Sequence, residues 1–281
     1  PLTFVIVLFI LAIQITMARW VQNQSWPVLL LCSYLIGGTL NHSLQLAAHE
    51  LSHLLCFGVA WADKLTGIIA NFATAMPSAI TFIKYHMEHH QWQGSDHVDT
   101  DIPVQFELDT FNTPFRKFIW CILQPFFYAF RPVISNPKKP GFWEFLNTVA
   151  VVSFDYWIYT TYGGKALAYL LLGTFLGLGF HPMAGHFIAE HYVFNKTEQE
   201  TYSYYGYFNW LMFNVGYHNE HHDFPKIAWS NLRKVRDIAP EYYTNLISYN
   251  SYYDVFYQYI FNPKIGPWSR VKRENKQRQR G

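Results

Sequence analysis

Apolar runs and the polar breaks between them set the first expectations for this chain. Leu2 to Ala18 is almost continuously apolar, broken by Thr3, Gln14 and Thr16 and ended by Arg19-Trp20. That length is about the minimum for crossing a ~30 Å hydrocarbon core. A polar turn, Gln22 to Ser25, is followed by Trp26-Pro27 and a second apolar run from Val28 to about Ala48. A second pair follows, Glu144 to Tyr162 and then Ala166 to Phe180 running on toward His186, joined by Gly163-Gly164-Lys165. The pattern predicts an all-α integral membrane protein, one domain over 1–281, with spans at 2–18, 28–48, 144–162 and 166–186 arranged as two hairpins. Leu65 to Ile83 is apolar but carries Gly67, Asn71 and Met76-Pro77, and reads as a buried or re-entrant interfacial segment. Phe118 to Phe130 is aromatic and amphipathic, and reads as a helix lying in the interface. The regions 49–143 and 187–269 are then cytosolic and helical.

Composition agrees with a membrane protein. Of 281 residues, 51% are hydrophobic and only 14% charged, against roughly 25% charged in soluble domains. Aromatics reach 19%, as suits a wide membrane–water interface. With the polar regions facing the cytosol, the two opposite loops hold only Arg19 and Lys165, as the positive-inside bias expects. Arg270, Lys272, Arg273, Lys276, Arg278 and Arg280 make 270–281 a basic tail, either a solvated terminus or a contact for anionic lipid. No aromatics are interleaved with these charges, so nucleic acid is not an expected partner. The three cysteines lie in or beside apolar stretches without a C-x-x-C, and read as buried thiols. The first apolar run lacks a basic leader and a small-residue cleavage site, so a cleavable signal peptide is not expected.

The candidate chemistry lies in three histidine boxes: His49-Glu50-Leu51-Ser52-His53, His86-Met87-Glu88-His89-His90 and His218-Asn219-Glu220-His221-His222. On helices, spacings of three and four place these rings on one face. His86, His89 and His90 cover an arc of roughly 100°, with Glu88 opposite. Eight imidazoles on three faces are too many for general acid–base work and exceed one four-ligand structural zinc site. They suit two metal ions, and imidazole suits iron, copper, zinc or nickel. Ligands at span ends, beside apolar helices that can hold an alkyl chain, favour oxidative chemistry on lipid. A histidine-rich metal transporter is the alternative of a different class, although such sites usually lie at the membrane midplane. Isolated His42 and His97 read as core residues. Asp155, inside an apolar run, reads either as functional or as a capped polar spot.

Specific segments carry a resemblance. Beside the boxes stand Asn41-His42-Ser43, Asp99-Thr100-Asp101-Ile102-Pro103, Phe115-Arg116-Lys117-Phe118-Ile119-Trp120, Gly185-His186-Phe187-Ile188-Ala189-Glu190-His191-Tyr192 and Tyr202-Ser203-Tyr204-Tyr205-Gly206. Asn214 to Pro225 encloses the third box. Together they resemble the sphingolipid Δ4-desaturases of the membrane fatty-acyl desaturase and hydroxylase superfamily. The resemblance implies two iron ions held and used by His49, His53, His86, His89, His90, His218, His221 and His222. It implies a ninth histidine, for which the Glu-His-Tyr element points to His191, with His186 the alternative, and it leaves Asn214 as a candidate for holding a metal-bound water. Glu50, Glu88, Glu190, Glu220 and Asp223 are the carboxylates expected to orient the imidazoles. The implied reaction converts dihydroceramide to ceramide with O2 as co-substrate and electrons from cytochrome b5 and NADH-cytochrome b5 reductase. The implied place is the endoplasmic reticulum membrane, with the site facing the cytosol. C4-hydroxylation is the alternative outcome of the same chemistry.

Overall fold

A computed structural model describes residues 1–195 and 198–274. The chain is mostly helical, as expected. Helix α1 (Leu2–Val21) is followed by α2 (Trp26–Cys32), which passes through a π-helical turn, Ser33–Gly38, into α3 (Thr39–Ser52). Then come α4 (Ala60–Thr74), α5 (Ala79–Trp92), α6 (Gln105–Thr110) and α7 (Pro114–Ser135). Helices α8 (Phe142–Tyr162) and α9 (Gly164–Leu178) follow, then the short α10 (His186–Ala189) and α11 (His218–Asp223). Helices α12 (Leu232–Ile238), α13 (Pro240–Tyr243) and α14 (Tyr252–Phe261) close the described chain. Two-residue strands, Ser203–Tyr204 and Ser248–Tyr249, pair in parallel.

The helical bundle is tied by small residues and by a buried polar network. The π-helical turn meets α9 so closely that a Cβ at Gly177 would lie 2.4 Å from the Gly38 carbonyl oxygen. Only glycine permits that backbone approach, which is how small residues bring membrane helices together. Several polar residues within the apolar runs find partners across helices. The Tyr169 hydroxyl donates to Gln14 Oε1 at 2.6 Å, and the Asn41 amide donates to Thr174 Oγ1 at 3.0 Å and to the Leu170 carbonyl at 3.1 Å. These contacts remove the cost of burying unpaired polar groups.

Three helical stretches are long and apolar enough to cross a membrane: Leu2–Val21, Pro114–Ser135 and Gly164–Ala189. A fourth is possible if α4 and α5, bent by 117°, form one broken span. The first and last agree with the expected spans. The bend, with Ala75 in a left-handed conformation, falls where a re-entrant segment was expected. The expected spans at 28–48 and 144–162 are helical but fall outside this set. Each carries polar residues, Asn41, His42 and Gln45 in one and Asn147 and Asp155 in the other. Helix α7, expected in the interface, is apolar enough to span. It also buries two cations against residues of other segments. Lys117 Nζ donates to the carbonyls of Asn262 and Ile265 at 2.8 and 2.9 Å. Arg131 grips Glu107 with two 2.6 Å hydrogen bonds.

Two further readings need correction. His97 is not a core residue: its side chain is 69% exposed beside Asp96. The basic tail does not begin at Arg270, whose side chain is buried against Asp99 and Tyr192. Arg273 also pairs, with Glu200 and the Gln93 carbonyl. Lys276, Arg278 and Arg280, like the pair Lys196-Thr197, lie outside the described residues.

Candidate metal centre

The three boxes converge. Helix α3 brings His49 and, at its end, His53, α5 brings His86, His89 and His90, and α11 brings His218, His221 and His222. The rings sort into two groups. Ligand-capable nitrogens of His49, His53, His86, His90 and His221 lie within 4.8 Å of one another, and so do those of His89, His191 and His222. His218 joins the second group, its Nε2 2.9 Å from that of His191. The two longer boxes are divided in opposite senses. His86 and His90 go to the first group and His89 to the second, whereas His218 and His222 go to the second and His221 to the first. Residues four apart share a face, and the intervening histidine is rotated toward the neighbouring site.

The spacing of the nitrogens fits metal ions. Nε2 atoms lie 2.9 Å apart in His53–His86, 3.0 Å in His90–His86, 3.0 Å in His221–His90 and 3.1 Å in His89–His191. With metal–nitrogen bonds of about 2.0–2.1 Å, ligands at right angles are about 3.0 Å apart and tetrahedral ones about 3.4 Å. Edges of this length are within reach of a shared ion. The buried Nε2 atoms of His49 and His222 have no hydrogen-bond partner among the described residues, which marks a site whose ligand atoms await an ion.

Electrostatics points the same way. Burial first, then neighbouring imidazoles, holds His218 and His222 well below the ordinary histidine range. Burial and then Arg270 and His89 do so for His191. Burial and Lys226 lower His53 to about 4, and burial and His53 lower His221 to about 3. Neutral imidazoles at neutral pH are what metal binding requires, and His89 alone among these shifts the other way, burial lowering it but Asp99 and Asp101 outweighing burial.

Around the rings, Asp99 is the carboxylate that sequence reasoning missed. Its Oδ1 lies 3.0 Å from His89 Nδ1. It also accepts from the backbone N–H of Gly94 at 2.8 Å and of Asp101 at 3.1 Å, with Arg270 at 3.5 Å. Burial alone would raise this carboxyl, but His89, Arg270 and the Gly94 N–H outweigh it and hold it well below the usual range. Of the five expected carboxylates, Glu190 is the one beside imidazoles, 2.8 Å from His186 Nδ1 and 3.6 Å from His218 Nδ1. Glu50 instead accepts from the Trp229 N–H, with burial pushing it up to about 8. Glu88 pairs with Lys138 and Asn136, Glu220 with Ser203 and Tyr205, and Asp223 with Tyr243. These brace the loops around the boxes. His191 sits within the second group, with its Nδ1 3.2 Å from the Glu200 carbonyl. His186 lies behind Glu190, outside both groups. Asn214 adopts a left-handed conformation just before the third box, and its amide donates to the Trp229 carbonyl at 3.0 Å. Asp155 belongs to neither group.

A helical frame with stretches apolar enough to cross a membrane and a paired histidine cluster able to hold metal suits an oxidoreductase acting on lipid, and the chain belongs to the fatty acid desaturase family, whose model matches residues 24–253. That membership displaces the transporter alternative. Within the family the similarity is narrow. The chain is 50% identical over 263 residues to the sphingolipid delta(4)-desaturase DES1 of Drosophila melanogaster, covering 93% of this chain and 80% of that one. It is 51% identical over 258 residues to the sphingolipid delta(4)-desaturase DES1 of Homo sapiens, covering 91% and 80%. It is 49% identical over 274 residues to the sphingolipid delta(4)-desaturase DES1-like protein of Oryza sativa subsp. japonica, covering 98% and 83%.

Proposed function

We propose that this chain is a sphingolipid Δ4-desaturase that converts dihydroceramide to ceramide. The observation that carries the reading is the convergence of nine imidazoles into adjoining groups of five and four, in a chain about half identical to Δ4-desaturases along most of its length. His49, His53, His86, His90 and His221 would hold one iron ion, and His89, His191, His218 and His222 the other. When bound, the iron pair supplies the O2 chemistry that removes hydrogen from an unactivated methylene, which no side chain can do. Two hydrogens leave C4 and C5 of the sphingoid base. With two electrons and two protons they reduce O2 to two molecules of water. The electrons come from a separate cytochrome b5 fed by NADH-cytochrome b5 reductase.

The chain's own contribution is positioning and exclusion of water. Asp99 and the Glu200 carbonyl fix the orientation of His89 and His191 through their Nδ1 atoms. The apolar helices hold the two tails. We read 1–281 as one catalytic domain in the endoplasmic reticulum membrane with the histidines facing the cytosol. The four segments 2–18, 28–48, 144–162 and 166–186 cross as two hairpins. Helix α7 lies along the interface, because Lys117 near its start and Arg131 near its end are both tied to the histidine-bearing part of the chain.

The test is an aerobic assay of the full chain in nanodiscs with dihydroceramide, cytochrome b5, its reductase and NADH, read by mass spectrometry. Ceramide formation is expected, and its loss in His222→Ala. Retained ceramide formation by that variant contradicts the ligand assignment, and a product bearing a C4 hydroxyl instead of the alkene would replace desaturation with hydroxylation.

A further inference from the structure

Beside the four-histidine group lies a set of polar side chains outside both histidine groups. Asp101 is the first. It follows Asp99 by two residues, yet the two are unlike. Asp99 is fully covered and saturated with hydrogen bonds, whereas the Asp101 side chain is 33% accessible and its Oδ2 stands 3.6 Å from His89 Nδ1. No hydrogen bond reaches the Asp101 carboxylate among the described residues, and its chain neighbours Thr100 and Ile102 are buried. Arg131 joins it to the next residue, Tyr128: its Nη1 donates to the Asp101 carbonyl at 3.0 Å, and its guanidinium lies 4.8 Å over the Tyr128 ring. Asp101 thus keeps part of its carboxylate accessible while one oxygen stands beside a metal-facing histidine.

The facing residues are of the same kind. Tyr128 is only partly covered, packs on Phe187 at 4.6 Å, and has no hydrogen bond at its hydroxyl among the described residues. His186 is buried, 5% exposed, and paired with Glu190 at Nδ1. Its Nε2 has no partner among the described residues, which is costly unless a ligand supplies one. Its ring touches Phe187 at 4.1 Å, so Tyr128, Phe187 and His186 form one continuous wall.

The chemistry of the substrate proposed above demands such a place. In a sphingoid base the oxidised C4 is bonded to the carbon bearing the C3 hydroxyl, and the amide nitrogen is one carbon further. A site that oxidises C4 must hold polar groups within a few bonds of the metals, unlike a site for mid-chain oxidation of an alkyl tail. We propose that Asp101, Tyr128 and His186 form the head-group site of the substrate, with Asp101 accepting the hydrogen bond of the C3 hydroxyl. A carboxylate acceptor makes the stronger, charge-assisted kind of hydrogen bond. A substrate without that hydroxyl would leave the carboxylate unpaired, and sites built to bond a hydroxyl reject analogues that lack it. This assignment rests on the Δ4-desaturase reading.

The experiment compares wild type, Asp101→Asn and Tyr128→Phe in nanodiscs with cytochrome b5 and its reductase, on dihydroceramide and on its 3-deoxy analogue. Iron per chain is measured in parallel. Wild type should favour dihydroceramide. Asp101→Asn should lower kcat/KM for dihydroceramide at least tenfold, change that for the 3-deoxy analogue less than threefold, and keep wild-type iron. Tyr128→Phe, which makes no contact with a metal-facing ring, should lower kcat/KM for dihydroceramide three- to tenfold with iron unchanged. Parallel losses on both substrates, iron loss in Asp101→Asn, or unchanged discrimination in both variants would overturn the assignment while leaving the Δ4-desaturase reading intact. Wild type that forms no 4,5-alkene from dihydroceramide would overturn both.

Discussion

Replacing Asp99 with Asn changes one charge and almost no volume, and its consequences can be worked from the contacts. Both carboxylate oxygens are used: Oδ1 faces His89 Nδ1 at 3.0 Å, and Oδ2 takes the Gly94 N–H at 2.8 Å and faces Arg270 at 3.5 Å. The Asn oxygen can replace one of these and its NH2 group none. If the oxygen stays on Gly94, the NH2 group turns toward His89 Nδ1, which must then accept rather than donate, and the wrong tautomer places the proton on the metal-facing nitrogen. Removing a carboxylate that orients a ligand histidine typically costs 10- to 100-fold in metal affinity, or about 1.4–2.8 kcal/mol. Separately, Arg270, with a side chain 4% exposed, loses its buried counter-ion, and breaking a buried pair from one side costs about 3–5 kcal/mol. Asp99→Asn should therefore shed iron faster under chelator challenge and melt earlier in detergent. Adding Arg270→Met should restore much of the melting temperature but not the iron retention. Wild-type iron retention by Asp99→Asn, with or without a lower melting temperature, would refute the orienting role.

Three other outcomes are expected. Glu107→Gln removes the carboxylate that Arg131 holds bidentately and that Trp120 Nε1 donates to at 2.7 Å; a loss of about 3–5 kcal/mol is expected, seen as a lower melting temperature, and Glu107→Gln with Arg131→Met should lose less than the single change. His191→Ala should reduce iron per chain and His186→Ala should not, measured by elemental analysis, and the reverse pattern would exchange their roles. Metal-free protein should lose stability on acidification: the folded pKa values of His53 and His221, about 4 and about 3, lie below the unfolded value near 6.5, so the unfolded chain binds more protons as pH falls from about 6.5 through 4 toward 3. Each group contributes up to ~1.4 kcal/mol per pH unit in its window, and a flat melting profile from pH 7.5 to 5 would contradict their burial as neutral rings.

How much of the site could be read in the chain depends on whether the residue sits on a regular helix. The boxes could be found because His49–His53, His86–His90 and His218–His222 obey a helical spacing that survives any tertiary arrangement. The ninth position could not be chosen on that ground, because His191 follows the end of α10, where spacing no longer fixes direction. Asp99 and Asp101 lie in an irregular loop among several acids, and nothing in their order shows that one is sealed and the other open. Arg270 looked like tail because five cations follow it within the last eleven residues, and only packing against Asp99 and Tyr192 separates it from them. Helix α7 shows the converse: its hydropathy permits a span, and nothing in that pattern shows that Lys117 and Arg131, near its two ends, are tied to the carbonyls of Asn262 and Ile265 and to Glu107.

The reciprocal division of the two longer boxes has a further structural consequence. Helix α5 gives two rings to the first group and one to the second, and α11 gives one to the first and two to the second. Neither helix can turn or slide without moving nitrogens at both sites, and His90 and His222, from different helices and different groups, stack with centroids 4.3 Å apart. The sites are thus two halves of one packed object rather than two independent cages. An ion held in one would fix the helix faces that the other needs, so that the ordering cost of the second site would be largely met when the first filled.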